Sequence, residues 1–359
     1  MSEKKSLFWK IYFGALILFA VALIAGVVIL LTYLSAFEKS QPIHPAREAF
    51  QEYFASGDFE KALKKANFAV GEKEKLSHAV KAMEKTFDKE KMEFYAVGVE
   101  KGVAKFNVIT SDENKDSFIK VATIFLKKDN KTDFYGFSPY QLDALEIFLK
   151  PTYSANVKIP SDYSLTVNGV EVKAEEAKNT SSHPWNDYLP ENSKKLMISE
   201  FSFSDLFCEP EIKAYNEKGE EITLLKNEET GALEAPIQYK EVPKTLSDRL
   251  LSGMKEYAKF IQADGSTAAL GEYFDKSSLF YRNTASNPGW WVTDHDGFVF
   301  EKERVEDFYF FDENTLCCHI SFDQVLKTHG KEDYIDPVDM TIFARKIGGN
   351  WYIFDRIVL

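Results

Sequence analysis

From Ile11 to Phe37 the chain carries no Asp, Glu, Lys, Arg or His, and ~20 such residues suffice to cross a bilayer. Inside hydrocarbon every backbone polar group must be bonded internally, so this stretch is predicted to be a transmembrane helix, 11–37. Its Leu, Ile, Val and Ala content suits that. Trp9, Tyr12 and Tyr33 fit the two membrane interfaces. Lys4, Lys5 and Lys10 precede the span, whereas Glu38 and Lys39 follow it. That bias places residues 1–10 in the cytoplasm and the bulk of the chain outside. The competing reading is a cleaved signal peptide. Against it, the apolar run exceeds an ordinary signal core, and Leu34-Ser35-Ala36 puts a bulky residue where cleavage prefers a small one.

Beyond a linker, 38–45, containing Pro42 and Pro45, apolar residues recur at helical spacing. Ala46, Ala49, Phe50, Tyr53 and Phe54 form one stripe ending at Gly57, and Phe59, Ala62, Leu63 and Ala66 a second. A charged helix is predicted from Glu72 to Lys89. The period then drops to two. Met92–Glu100, Val103–Thr110 and Phe118–Lys127 read as strands, parted by Lys101-Gly102 and by the polar Ser111–Asp116. With closure near Phe137–Phe148, this order predicts an α+β domain over 46–151, helices lying on one face of a curved antiparallel sheet.

The middle of the chain, 152–240, loses the helical period. Runs at Ala155–Ile159, Tyr163–Val167, Val170–Lys173, Leu196–Phe203, Glu211–Tyr215 and Glu221–Leu225, with Asn168-Gly169 as a hairpin turn, predict a small β-sandwich of immunoglobulin-like kind. Helical spacing returns from Leu246 through Leu250, Met254, Tyr257, Ala258 and Ile261. Strands follow at Arg304–Phe311, Thr315–Leu326, Val338–Lys346 and Trp351–Leu359. Residues 241–359 thus repeat the order of the first domain.

Charge narrows the partners. The net charge is −12, and the first ten residues hold Glu3 against Lys4, Lys5 and Lys10, so the acidity lies wholly beyond them. Nucleic acid and anionic lipid are disfavoured as partners of that part. Three cysteines, Cys208, Cys317 and Cys318, are too few to form a disulfide framework for so large an exported region. That frugality suits a Gram-positive envelope. Walker, dinucleotide-glycine, zinc-protease and nucleophile-elbow motifs are missing from the sequence.

Tyr257–Phe274, Ser321-Phe322-Asp323 and Gly349-Asn350-Trp351-Tyr352 through Val358 resemble the cone-shaped fold of nuclear transport factor two and ketosteroid isomerase. The wider order, with Phe137-Ser138-Pro139 and Val157–Val172, is similar to Gram-positive membrane proteins associated with teicoplanin resistance. It is similar also to the non-catalytic extension of the methicillin-resistance penicillin-binding protein. The four-cysteine zinc ribbon of the teicoplanin-resistance group is lacking. The resemblance implies two cone-shaped α+β domains flanking the sandwich, and a scaffolding, ligand-sensing or spacer role. The fold hosts enzymes and pure binders alike, so sites must decide.

Several clusters compete as sites. Asp294-His295-Asp296 has metal-ligand chemistry, yet three consecutive residues rarely converge, and a solvated turn before Gly297 is the plainer expectation. In Cys317-Cys318-His319 strand alternation sends Cys318 into the core with Leu316, Ile320 and Phe322, leaving Cys317 half-exposed on the other face. His329, Asp333, Asp336 and Asp339 gather around a hairpin loop without calcium-loop spacing. An isomerase-like pocket would draw on Tyr281, Tyr309 and Asp323. Asn130-Lys131-Thr132 and Asn179-Thr180-Ser181 read as loops. Trp290-Trp291 after Pro288-Gly289 suggests an aromatic rim for a glycan or peptide, although neighbouring strand tryptophans ordinarily give one buried and one outward ring.

The expectation is therefore a non-catalytic, membrane-anchored, extracytoplasmic binding or scaffold protein of the bacterial envelope. No catalytic residue, cofactor or metal ligand is assigned. Trp290, Trp291, His295 and Tyr309 form the candidate contact surface for a cell-wall polymer, peptide or envelope protein. The alternatives are a small-molecule pocket enzyme of isomerase or dehydratase type in the last domain, and a passive spacer.

Overall fold

The computed structural model describes residues 2–112 and 117–359, so Glu113–Asp116 of the predicted Ser111–Asp116 turn lies outside the described residues. The chain divides into two compact units. One comprises Met1–Ser154 with Ser204–Pro210, the other Ala155–Phe203 with Glu211–Leu359.

In the first unit, helix α1 runs from Ser2 to Lys39 and its apolar stretch is exposed along its sides. By length and composition it could cross a membrane, as an anchor or as a signal sequence. The predicted linker 38–45 shrinks, because α2 (Ile43–Phe50) already contains Pro45. A proline in the first helical turn lacks an N–H that would be unbonded there anyway. The helix continues as a π turn, Gln51–Ala55, and Gly57, at φ +78°, ends it. Asp58 caps α3 (Phe59–Lys65) by accepting from the Lys61 amide. Helix α4 spans only Leu76–Thr86, shorter than the predicted Glu72–Lys89, since Asp88 opens a separate 3-10 turn at Lys89–Lys91.

Strands β1 (Glu93–Glu100), β2 (Val103–Asp112), β3 (Ser117–Lys128) and β4 (Tyr140–Ile147) form an antiparallel meander in sequence order. Lys101 and Gly102 both take positive φ, as a two-residue hairpin turn requires. Phe54, Leu63 and Met83 from the helices meet Phe106, Ile124 and Leu126 from the sheet in one buried core. Glu74, itself buried, accepts from the Phe207 amide and meets His78 Nδ1 at 2.6 Å, which fastens the returning Ser204–Pro210 segment to α4.

The second unit begins with two small sheets. Their strands are β5 (Tyr153–Pro160), β6 (Ser164–Val167), β7 (Val170–Val172), β8 (Asn179–Ser182), β9 (Met197–Leu206), β10 (Ile212–Tyr215), β11 (Glu221–Ile222), β12 (Leu225–Lys226) and β13 (Leu233–Glu234). One sheet has the order β11-β10-β6-β7 and the other β12-β13-β5-β9-β8. Asn168-Gly169, both at positive φ, joins β6 to β7 as expected. Asn179-Thr180-Ser181, expected as a loop, is instead the edge strand β8 paired with β9. Polar side chains hide an edge strand from sequence pattern, because the pairing is made by backbone groups.

Three helices, α5 (Lys244–Ile261), α6 (Thr267–Leu270) and α7 (Leu279–Ala285), precede a second antiparallel meander. It comprises β14 (Gly297–Asp312), β15 (Thr315–Lys327), β16 (Tyr334–Ile347) and β17 (Asn350–Val358). Both β14 and β16 begin earlier than predicted. Three register shifts in β14, two of them beside Lys302 and Asp307 at positive φ, break the alternation that sequence reading relies on. Leu316, Cys318, Ile320 and Phe322 face Leu250, Met254 and Ala258 of α5. The opposite face of β15 is buried too. Cys317, expected half-exposed, is 0% exposed, because Leu189, Leu196 and the Trp185–Tyr188 turn of the middle segment pack over it with Phe311, Phe343 and Phe354. Burial pushes both thiols up and keeps them neutral.

Candidate functional site

Helix α5 ends with carbonyls that have no partner further along the helix. Ala263 turns the chain at φ +69°, and the Asp264 amide closes back on the Lys259 carbonyl. The later Pro288–Thr293 loop docks on this terminus. The Gly289 and Trp291 amides donate to the Phe260 and Ile261 carbonyls, each at 3.2 Å, and the Thr293 amide donates to Gln262 Oε1 at 2.9 Å. Gln262 is almost wholly buried. Gly289 is at φ +63°, and a Cβ there would lie 3.0 Å from that of Ala263, so the close approach requires glycine.

A loop held by its backbone leaves its side chains outward. Trp290, Trp291 and Val292 are 57%, 54% and 58% exposed, and the two indoles sit edge to face. The expectation of one buried and one outward tryptophan fails because this segment is a turn rather than a strand. Three consecutive apolar side chains are thus exposed on a hydrogen-bonded backbone.

His295 fastens the other side of the loop. Its Nδ1 faces the Thr293 carbonyl and its Nε2 meets Asp264 Oδ2 at 2.7 Å. Both neighbours only accept, so the two bonds together require the doubly protonated ring. The Thr293 carbonyl, opposed by burial and helped by Asp264, holds the imidazole above its ordinary value of 6.5. The side chain is 6% exposed, so the solvated turn expected at Asp294-His295-Asp296 is corrected at its centre. The flanking acids remain exposed and both reach the loop between β15 and β16. Asp294 pairs with Lys331, and Asp296 accepts from the His329 amide. Among the described residues, no group of three His, Cys, Asp or Glu is placed to hold a metal ion.

A folded-state pKa above the unfolded one stabilises the protein below the unfolded value, and that contribution is lost as pH rises through the folded value. Wild-type protein should therefore lose more thermal stability than His295→Gln between about pH 6 and 8. Parallel curves for the two proteins would remove His295 from this role. His319 also titrates high, because Asp339 and Glu306 outweigh the effect of its burial, but it is common to both proteins.

Tyr309, grouped with this surface on sequence, lies elsewhere. It pairs with Cys317 towards the other end of the β14–β15 hairpin and packs on Trp185 and Phe311, and burial pushes its phenol up. Nor do the three residues considered for a pocket converge. Asp323 pairs with Lys302, while the Tyr281 hydroxyl donates to the Thr267 carbonyl. His329, Asp333, Asp336 and Asp339 are likewise dispersed. Asp333 meets Lys327, Asp336 meets Gln262 and Asp339 meets His319. Sequence reading missed Gln262 and Asp264, whose only signal is their place just past a helix end.

No family model and no curated protein matches this chain. A solved structure described as an NTF2-like protein involved in plasmid conjugation aligns over 75% of this chain and 76% of its own, at 5% identity and a TM-score of 0.24. So low a score leaves the architecture to rest on the strand order and packing described above.

Proposed function

We propose that the chain is a non-catalytic binding or scaffold protein of the bacterial envelope. Residues 11–37 stay in the membrane as an uncleaved anchor, the amino terminus is cytoplasmic, and both compact units are extracytoplasmic. In this reading each helix-plus-meander segment is a cone-type domain, and the Trp290–Trp291–Val292 loop is the contact surface for a cell-wall polymer. The resemblance in sequence order carried by Phe137-Ser138-Pro139 and Val157–Val172 is what favours an envelope role. The observation that carries the reading is a loop whose two tryptophans are both more than half exposed while its backbone is bonded to a helix terminus. Exposed indoles on a preformed backbone lose little entropy on binding and are common hot spots.

The test is retention of the detergent-solubilised full chain on purified insoluble cell wall. Replacing Trp290 and Trp291 together by alanine should lower affinity at least tenfold, equivalent to about 1.4 kcal/mol. Because neither ring is buried, the unfolding free energy by circular dichroism should stay within about 0.5 kcal/mol of wild type. Undiminished retention would place the contact elsewhere, and wild-type protein that failed to bind would exclude a wall polymer.

A further inference from the structure

The most exposed large apolar side chain among the described residues is Phe134, at 95%. It sits in the loop between β3 and β4, and that loop is closed on itself. The Asp133 amide donates to the Phe137 carbonyl at 2.8 Å, and the Gly136 amide donates to the Asp133 carbonyl at 3.1 Å. The Asp133 carboxylate accepts from the Tyr135 and Phe137 amides, both at 2.9 Å. Gly136, at φ +85°, supplies the left-handed residue that reverses the chain. The turn therefore holds Phe134 outward by its own hydrogen bonds, its ring meeting that of Tyr135 edge on at 5.3 Å.

The same turn leans on α1. The Tyr135 and Thr32 hydroxyls are 2.7 Å apart. The Tyr135 ring meets Tyr33 edge on at 5.5 Å, and Phe137 lies 5.3 Å from Tyr33 and 5.6 Å from Phe37. Counting ~20 residues from Ile11 for the ~30 Å hydrocarbon core brings the span to about Leu30. Thr32, Tyr33 and Phe37 then lie in the interfacial layer at the carboxyl end of the span, where aromatic rings partition. A turn stacked on those residues lies at the same depth.

We infer that the Asp133–Gly136 turn is a membrane-contacting foot, in which Phe134 and Tyr135 enter the phospholipid interface around α1 and seat the first unit on the bilayer. The inference rests on α1 being a membrane span. The turn presents aromatic rings at a depth where lipid, rather than water or a sugar, is the neighbouring medium.

The full chain, in a Cys208→Ser background and in vesicles of phosphatidylcholine with phosphatidylglycerol, carries a spin label at one of three sites: Phe134→Cys, Phe118→Cys or Leu23→Cys. Phe118, 72% exposed at the opposite end of β3, reports an aromatic in water, and Leu23 reports the middle of the span. Collision with dissolved oxygen and with a water-soluble nickel chelate is measured for each label. Position 134 should show several-fold less chelate collision than position 118 while keeping high oxygen collision, and position 23 should read deepest. A label at 134 as open to chelate as that at 118, with position 23 still buried, overturns the foot alone. Shielding of 134 from both reagents would signal protein contact, such as a second copy, and overturn the lipid assignment. A label at 23 open to chelate would remove the span and the foot with it.

Discussion

Replacing Phe343 by alanine should destabilise the second unit by about 3–5 kcal/mol, the usual cost of deleting a fully buried phenyl ring. Phe343 is 0% exposed on β16, where its ring stacks on Tyr188 at 5.3 Å and 8° and borders Phe311 and Phe354. Tyr188 belongs to the middle segment, so the missing ring would leave a cavity between that segment and the last sheet. Phe343→Leu, which fills part of the space, should cost clearly less. Denaturant titration of the solubilised full chain followed by tryptophan fluorescence reads chiefly this unit, because four of the five tryptophans, Trp185, Trp290, Trp291 and Trp351, lie in it and the fifth, Trp9, is on α1. A loss below about 1 kcal/mol would contradict the packing of the middle segment onto the sheet.

Asp275→Ala should cost about 2–3 kcal/mol, by a different mechanism. Asp275 is buried just past α6, faces Arg345 on β16, and accepts from both the backbone amide and the hydroxyl of Ser277. Its own amide donates to the Ile353 carbonyl, so this turn joins the helices to β17. Arg345 also donates to the Ser277 hydroxyl. Without the carboxylate, the guanidinium and Ser277 lose their shared acceptor. Arg345 is about one-third exposed and can regain water, which keeps the loss below that of a fully buried pair. Asp275→Asn retains an acceptor for Ser277 and should fall between wild type and alanine in the same titration. An Asp275→Ala midpoint equal to wild type would show that the pair contributes nothing.

Local rules made much of this legible. The long apolar helix α1 needed only the missing charges of Ile11–Phe37. Helices α2, α3 and α5 followed from apolar spacing, the β6–β7 turn from Asn168-Gly169, and the opposed faces of Cys317 and Cys318 from strand alternation, whereas α7 was not anticipated. Most of the failures at the candidate site trace to contact between residues distant in sequence. Alternation gives Cys317 a side but not the Trp185–Tyr188 turn that covers it. The two tryptophans point outward because their loop bonds to Phe260, Ile261 and Gln262, and His295 has its role only through Asp264. Tyr309 looked like part of a surface for want of any sign that Trp185 would meet it. Strand β8 has too few apolar residues to announce itself.

Epitope tags placed before Met1 and after Leu359, followed through protease treatment of intact cells, test the central claim most directly. An uncleaved anchor with the bulk outside predicts that the carboxyl-terminal tag is lost at once and the amino-terminal tag survives on a membrane-bound fragment until the cells are lysed. Survival of the carboxyl-terminal tag in intact cells, with its loss only on lysis, would contradict the orientation and the wall-binding role built on it.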